Sequence, residues 1–130
     1  MKRLPDEVRE LLERPNLAHV ATVMADGMPH VVPTWVGLED EQIVFLTGPG
    51  SQKARNLADD PRVSLSVADH EHPGRMAHVR GRVTRRIEGD EAWAIIDRLA
   101  QQYLGGPYPR EFDRVVYRVA PERALAHDYG

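Results

Sequence analysis

Two apolar runs, Leu17 to Met24 and His30 to Gly37, flank the tetrapeptide Ala25-Asp26-Gly27-Met28. Asp-Gly tolerates the positive φ of a tight hairpin, so the three segments predict two antiparallel strands joined at close range. The same pattern recurs down the chain. Leu38-Glu39-Asp40-Glu41 reads as a second turn and Gln42 to Thr47 as a third strand. From Arg62 to Ala68 the period is two, with Val63, Leu65 and Val67 on one face and Ser64 and Ser66 on the other. The loop Asp69 to Gly74 leads into a long strand, Met76 to Ile87. Arg114 to Val119 and Ala124 to His127 read as strand-like segments around Pro121. Helices are inserted between these strands rather than alternating with them. Pro5, Asp6 and Glu7 open a short amphipathic helix that carries Val8, Leu11 and Leu12 and ends around Pro15. Asp90 to Leu104 sets Ala92, Ile95, Ile96, Leu99 and Tyr103 at helical spacing, and Gly105-Gly106-Pro107 stops it. Six or so short strands with inserted helices predict a mainly β antiparallel barrel with α additions, in one domain over residues 1–130.

Composition removes several classes of function. A net charge of −3 opposes a protein whose whole surface binds nucleic acid, so no nucleic-acid partner is expected. The absence of cysteine excludes disulfides, thiol catalysis and cysteine-ligated metals. No apolar run approaches the roughly 18 residues of a membrane helix, and Met1 to Glu7 lacks a leader's apolar segment. A cytoplasmic protein without a membrane partner is the expectation. Serine occurs only at positions 51, 64 and 66, none in a nucleophile-elbow motif. His70-Glu71-His72 offers alternate residues in a Gly/Pro loop with no third ligand, so no metal is assigned.

The stretch Thr47-Gly48-Pro49-Gly50-Ser51-Gln52-Lys53-Ala54-Arg55-Asn56-Leu57 is chemically the most informative. Small residues turn the chain after a strand, Ser51 is a suitable N-cap, and Pro61 must end the helix that follows. A helix N-terminus offers free N–H donors and partial positive charge, which suits a phosphate. Besides Lys2, Lys53 is the only lysine in a chain that otherwise uses arginine. At this point an ordinary capped helix with solvated charges stands equally beside a phosphate cradle. Lys53 is expected to be exposed in the empty protein.

Several blocks in fixed order resemble the pyridoxamine 5′-phosphate oxidase-like split-barrel superfamily, and most closely its small F420-dependent actinobacterial branch. These are Ala18-His19-Val20-Ala21-Thr22-Val23 with Asp26-Gly27-Met28-Pro29-His30-Val31-Val32-Pro33-Thr34-Trp35, then Val44 through Leu57, Asp60-Pro61-Arg62-Val63 and Val79-Arg80-Gly81-Arg82-Val83. The last third is only loosely similar. The resemblance implies a six-stranded antiparallel split β-barrel of the FMN-binding type. It also implies a homodimer with cofactor clefts between subunits. The function it implies is an F420-dependent oxidoreductase that passes hydride from reduced deazaflavin to a small unsaturated or aromatic substrate. The alternatives are an FMN-dependent oxidoreductase of the same fold and a non-catalytic F420 or flavin carrier.

Carried onto this chain, the resemblance makes Ser51 and Lys53 the phosphate cradle, with Thr47 and Asn56 as neighbours and Arg55 for phosphate or acidic tail. Val32, Pro33, Thr34, Trp35 and Leu46 would line the ring system. Arg80, among Arg75, Arg82, Arg85 and Arg86, is a candidate for the oligoglutamate tail. Gln52-Lys53 stands where the oxidase has Arg-Lys, and no counterpart of its substrate-binding C-terminal segment is evident. Pyridoxamine phosphate oxidation is therefore not expected. No catalytic residue is assigned; His30, His78 or a tyrosine are the proton-donor candidates.

Overall fold

The computed structural model describes residues 3–130; Met1 and Lys2, part of the N-terminal segment read above, lie outside the described residues. The chain runs α1 (Asp6–Glu13), β1 (Ala18–Val23), β2 (Pro29–Thr34), β3 (Val36–Glu39), β4 (Gln42–Thr47), α2 (Gln52–Asp59), β5 (Arg62–Ala68), β6 (Arg75–Ile87), α3 (Gly89–Leu104) and β7 (Val115–Asp128). The expected antiparallel, mainly β architecture is present, with seven strands where six were expected. The extra strand comes from Trp35, which interrupts the return strand expected over His30 to Gly37 and divides it into β2 and β3. The second turn is correspondingly shorter. Leu38 and Glu39 pair with Ile43 and Gln42, and only Asp40 and Glu41 turn, with Asp40 at φ 58°.

The strand order is β2-β1-β5-β6-β7-β4-β3. β2 and β3 are consecutive in the chain yet form opposite edges of the sheet, and a single residue, Trp35, joins them. Thr34 and Val36 lie only two peptide steps apart, a span of roughly 7 Å at most. The sheet must therefore roll until its edges meet, which makes a barrel split along the β2–β4 seam. Thr34 Oγ1 donates to the Leu46 carbonyl across that seam at 3.4 Å, where no strand ladder is formed. The inward faces supply the core. Val20, Phe45, Val63, Leu65, Val67, Val79 and Val119 pack with Val8, Leu11 and Leu12 of α1 and with Ala54 and Leu57 of α2. On the outer side of β4 and β7, α3 covers Val44, Leu46 and Val116 with Ile95, Ile96 and Leu99.

Local signals set the ends of these elements. α1 stops at Arg14, whose extended backbone (ψ 163°) is what a following proline imposes. Gly27 takes φ 90° in the hairpin, and the Asp26 carboxylate accepts from the Met28 N–H at 3.0 Å. β7 corrects another expectation, since the two segments around Pro121 are one strand. The ladder absorbs Pro121 through register shifts on both strands, between Arg80 and Gly81 and between Val83 and Arg85. Bulges of this kind accommodate a residue that cannot donate to a regular ladder.

Gly81 faces Pro121 at the first shift, and a Cβ there would stand 2.3 Å from the Ala120 carbonyl oxygen. The obstacle is backbone and cannot swing aside. Gly81→Ala is expected to lower stability by about 2–4 kcal/mol in urea unfolding. Gly106→Ala, with nothing within 4 Å, should stay within about 0.5 kcal/mol of the parent. Equal midpoints for the two variants would contradict this packing.

Candidate cofactor-binding site

The closing residue of the sheet is also the wall of a cleft. Trp35 stacks on Tyr103 of α3 with centroids 5.0 Å apart and planes 4° from parallel, and Tyr108 meets it edge-on at 5.7 Å. α3 fixes this crossing through polar contacts as well. Tyr103 Oη accepts from the Val36 N–H at 3.0 Å and donates to the Asn16 carbonyl at 2.6 Å. Burial raises the Tyr103 pKa, so the phenol keeps the proton that bond needs. The cleft, about 560 Å³, is lined by Leu17, Pro33, Thr34, Trp35, Leu46, Thr47, Gly48, Tyr108 and Arg114. Five residues assigned from sequence therefore meet at one place: Pro33, Thr34, Trp35, Leu46 and Thr47. Val32 is not a lining residue. It is half-buried and pairs with the buried Val20 of β1.

Thr47 carries the site onward to α2. Its hydroxyl donates to Ser51 Oγ at 2.8 Å, and Ser51 Oγ accepts the Ala54 N–H at 3.1 Å as the helix N-cap. The Ala54 N–H fixes Ser51 Oγ as an acceptor, so one hydroxyl hydrogen of the Thr47–Ser51 pair remains to donate outward. The Ser51 carbonyl takes the Arg55 N–H, while the N–H groups of Gln52 and Lys53 find no acceptor among the described residues. These are the orphan donors of a helix start, and the macrodipole adds to their pull on an anion.

Lys53 departs from its expected exposure. It is only 7% exposed, with Nζ 5.8 Å from the centroid of the Phe45 ring. Its ammonium makes no ion pair or hydrogen bond among the described residues. Burial lowers its pKa because the charged form has lost water without gaining a counter-ion. The amphipathic placement of α2 explains this position, since Lys53, Ala54, Asn56 and Leu57 share the face turned to the barrel.

Ser51 and Lys53 do not line the cleft, and the other assigned residues lie apart from it as well. Asn56 is buried and its amide is engaged, donating to Thr22 Oγ1 at 2.9 Å and accepting from Gln52 at 2.7 Å. Arg55 donates to the Gly50 carbonyl and to Gln52 Oε1, and it borders a different cleft beside Asp59 and Asp60. Arg80 sits exposed on the outer sheet face, between Ser64 and Arg123. Among the proton-donor candidates, His78 stacks on His127 and His30 lies on β2; Tyr108 is the one that lines the cleft. A larger cleft of about 600 Å³ lies between α1 and the far end of β6 and β7. Its rim carries Glu7, Glu10, Asp69 and Asp128, and its two arginines, Arg14 and Arg75, are already paired with Asp69 and Asp128, a poor setting for a phosphate.

Residues 4–128 match the pyridoxamine 5′-phosphate oxidase family. The chain belongs to that family. An F420H(2)-dependent biliverdin reductase from Mycobacterium tuberculosis is 34% identical over 95% of this chain and 88% of its own length. A solved F420 reductase superimposes with a TM-score of 0.82 at 35% identity, covering 94% of this chain and 98% of that one. A pyridoxine/pyridoxamine 5′-phosphate oxidase from Bradyrhizobium diazoefficiens is 30% identical over 86% of this chain, which spans only 53% of that enzyme.

Sequence reasoning named no role for Leu17 or Arg114, reached Gly48 only as part of the turn before α2, and reached Tyr108 only as one unspecified tyrosine. Arg114 immediately precedes the Val115–Thr47 pair, and Gly48 immediately follows Thr47, so their proximity depends on the β4–β7 pairing. Nothing local in the sequence announces that pairing.

Lys53→Met is expected to raise the melting temperature of the cofactor-free protein, because it removes a buried, uncompensated charge. The unfolded chain holds the Lys53 proton more readily than the folded one. Stability should therefore rise as pH climbs through the lowered folded pKa toward 10.5. That increment should vanish in Lys53→Met, as measured by thermal unfolding across the alkaline range. Superimposable pH profiles for parent and variant would contradict the assigned burial.

Proposed function

We propose that this protein is an F420-dependent oxidoreductase acting on a small unsaturated or aromatic substrate. The observation that carries the reading is Lys53, a largely buried side chain whose ammonium has no counter-ion among the described residues, in the first turn of a helix whose opening N–H donors are free. A phosphate there would compensate the charge and satisfy the N–H groups of Gln52 and Lys53 and the free hydroxyl hydrogen of the Thr47–Ser51 pair in one step. Reduced F420, when bound, supplies a hydride to an electron-poor acceptor. Every other task falls to the chain. Ser51 and Lys53 hold the phosphate, and Thr47 links that cradle to the ring cleft. Pro33, Thr34, Trp35 and Leu46 present an apolar wall that excludes water, with Val32 supporting it from β2. Asn56 orients α2 through its bonds to Thr22 and Gln52. Arg55 and Arg80 serve an acidic tail, Arg80 from the outer sheet face.

The relatives named for F420, 34% and 35% identical across 95% and 94% of this chain, support F420 over FMN. We further propose a homodimer that completes the clefts. Leu17, Met28 and Val31 are all more than half exposed around β1 and β2, a grouping that suits burial against a second copy.

Titration of the purified protein with F420 and with FMN tests the cofactor. Micromolar or tighter F420 binding with far weaker FMN binding is expected. Lys53→Met should weaken F420 by about tenfold to a hundredfold, the effect of losing one charge-assisted contact worth about 1.5–3 kcal/mol. The reverse order of affinities would transfer the fold to FMN chemistry. Tight F420 binding without turnover of any conjugated acceptor would make the protein a carrier.

A further inference from the structure

Arg114 is one of five arginines, with Arg55, Arg80, Arg118 and Arg123, that make no ion pair among the described residues, and the one of them that lines the ring cleft. Most arginines here are neutralised by a neighbour, such as Arg62 by Asp60, Arg85 by Glu91 and Arg110 by Asp97. Arg114 instead lines the ring cleft and makes no ion pair among the described residues. It is nonetheless held in place. Its Nε donates to Tyr108 Oη at 3.2 Å and its Nη1 donates to the Asp113 carbonyl at 2.8 Å. Both contacts position the guanidinium, and neither cancels its charge. Nη2 has no acceptor among the described residues.

We infer that Arg114 is the carboxylate anchor of this cleft, and that the preferred substrate is a planar conjugated acid. The inference rests on the cleft being the site of cofactor and substrate. A guanidinium presents donors in a planar fork that matches a carboxylate, and partial removal from water strengthens the pairing. The surroundings favour a substrate over the cofactor's tail. Tyr108, which holds Nε, stands edge-on to Trp35, and the Phe112 ring lies 5.8 Å from the guanidinium carbon while remaining 68% exposed. An oligoglutamate tail offers only short methylene stems between its charges and no flat surface to lay against an aromatic ring. A conjugated acid offers both parts at once: a flat apolar body for Trp35 and Tyr108, and an anionic end for Arg114. Arg114 is a specificity residue in this account and takes no part in the transfer of hydride.

Biliverdin, the substrate named for the mycobacterial relative, and its dimethyl ester share one chromophore and differ in their carboxylates, which makes them the probes. Their retention by the F420-loaded and cofactor-free protein is measured by equilibrium dialysis. The free acid is expected to be retained at least about tenfold more tightly than the ester, the margin of one charge-assisted pair. Arg114→Gln should erase the difference and Arg114→Lys should restore part of it, with F420 affinity and circular dichroism unchanged in both. Equal retention of acid and ester, retention of neither, or an acid preference that survives in Arg114→Gln would overturn the inference. Loss of F420 affinity in Arg114→Gln would also overturn it by moving the residue to the cofactor. An acid preference in a parent protein that binds no F420 would sink the proposed function and leave the anchor standing.

Discussion

The roll of the sheet at Trp35 is the constraint from which the rest follows. Two edge strands joined by one residue cannot lie at opposite ends of an open sheet, so the chain's covalent geometry dictates the barrel. The closure is incomplete, because β2 and β4 meet through a single side-chain hydrogen bond rather than a ladder. A gap in a sheet exposes backbone and side chains that a full barrel would bury. The cleft occupies that gap, and the residue that forces the roll is the residue that walls it.

Charge is distributed in a way that sharpens this geometry. Along the sheet and helices, arginines and carboxylates neutralise one another at the surface; Arg98 pairs with Glu39 and Arg9 with Glu41, tying helices to strands. Such exposed pairs contribute little to stability individually. Lys53 and Arg114 lack a counter-ion among the described residues, as do Arg55, Arg80, Arg118 and Arg123; Lys53 is set apart by its burial and Arg114 by its place in the cleft. Removing a charge from water without a partner costs folding energy that an incoming anion would offset.

Much of the fold was legible because it depends on local chemistry. Asp26-Gly27 announced the first hairpin, the Val63-Leu65-Val67 alternation announced β5, and the helical spacing through Tyr103 announced α3. The errors have a common physical origin. Trp35 looks like a strand residue because it is one at both of its flanks, and only the strand order reveals that the partner changes there. Pro121 looks like a break because proline cannot donate, and only the opposing Gly81 shows how the ladder absorbs it. Within the candidate site, the N-cap of α2 was readable from Ser51 and the loop before it. The burial of Lys53 was not, because it depends on how α2 lands on Phe45. Arg114 lay beyond reach for the same reason: its relation to Gly48 exists only through a long-range strand pair.

On the proposed function, the stranded ammonium of Lys53 also bears on the life of the protein in a cell. A chain whose empty form harbours such a liability is stabilised in proportion to how fully its site is filled. Newly made molecules lacking ligand would open more often and present more substrate to proteases. Abundance would then track the supply of deazaflavin, with no dedicated regulator needed to match one to the other.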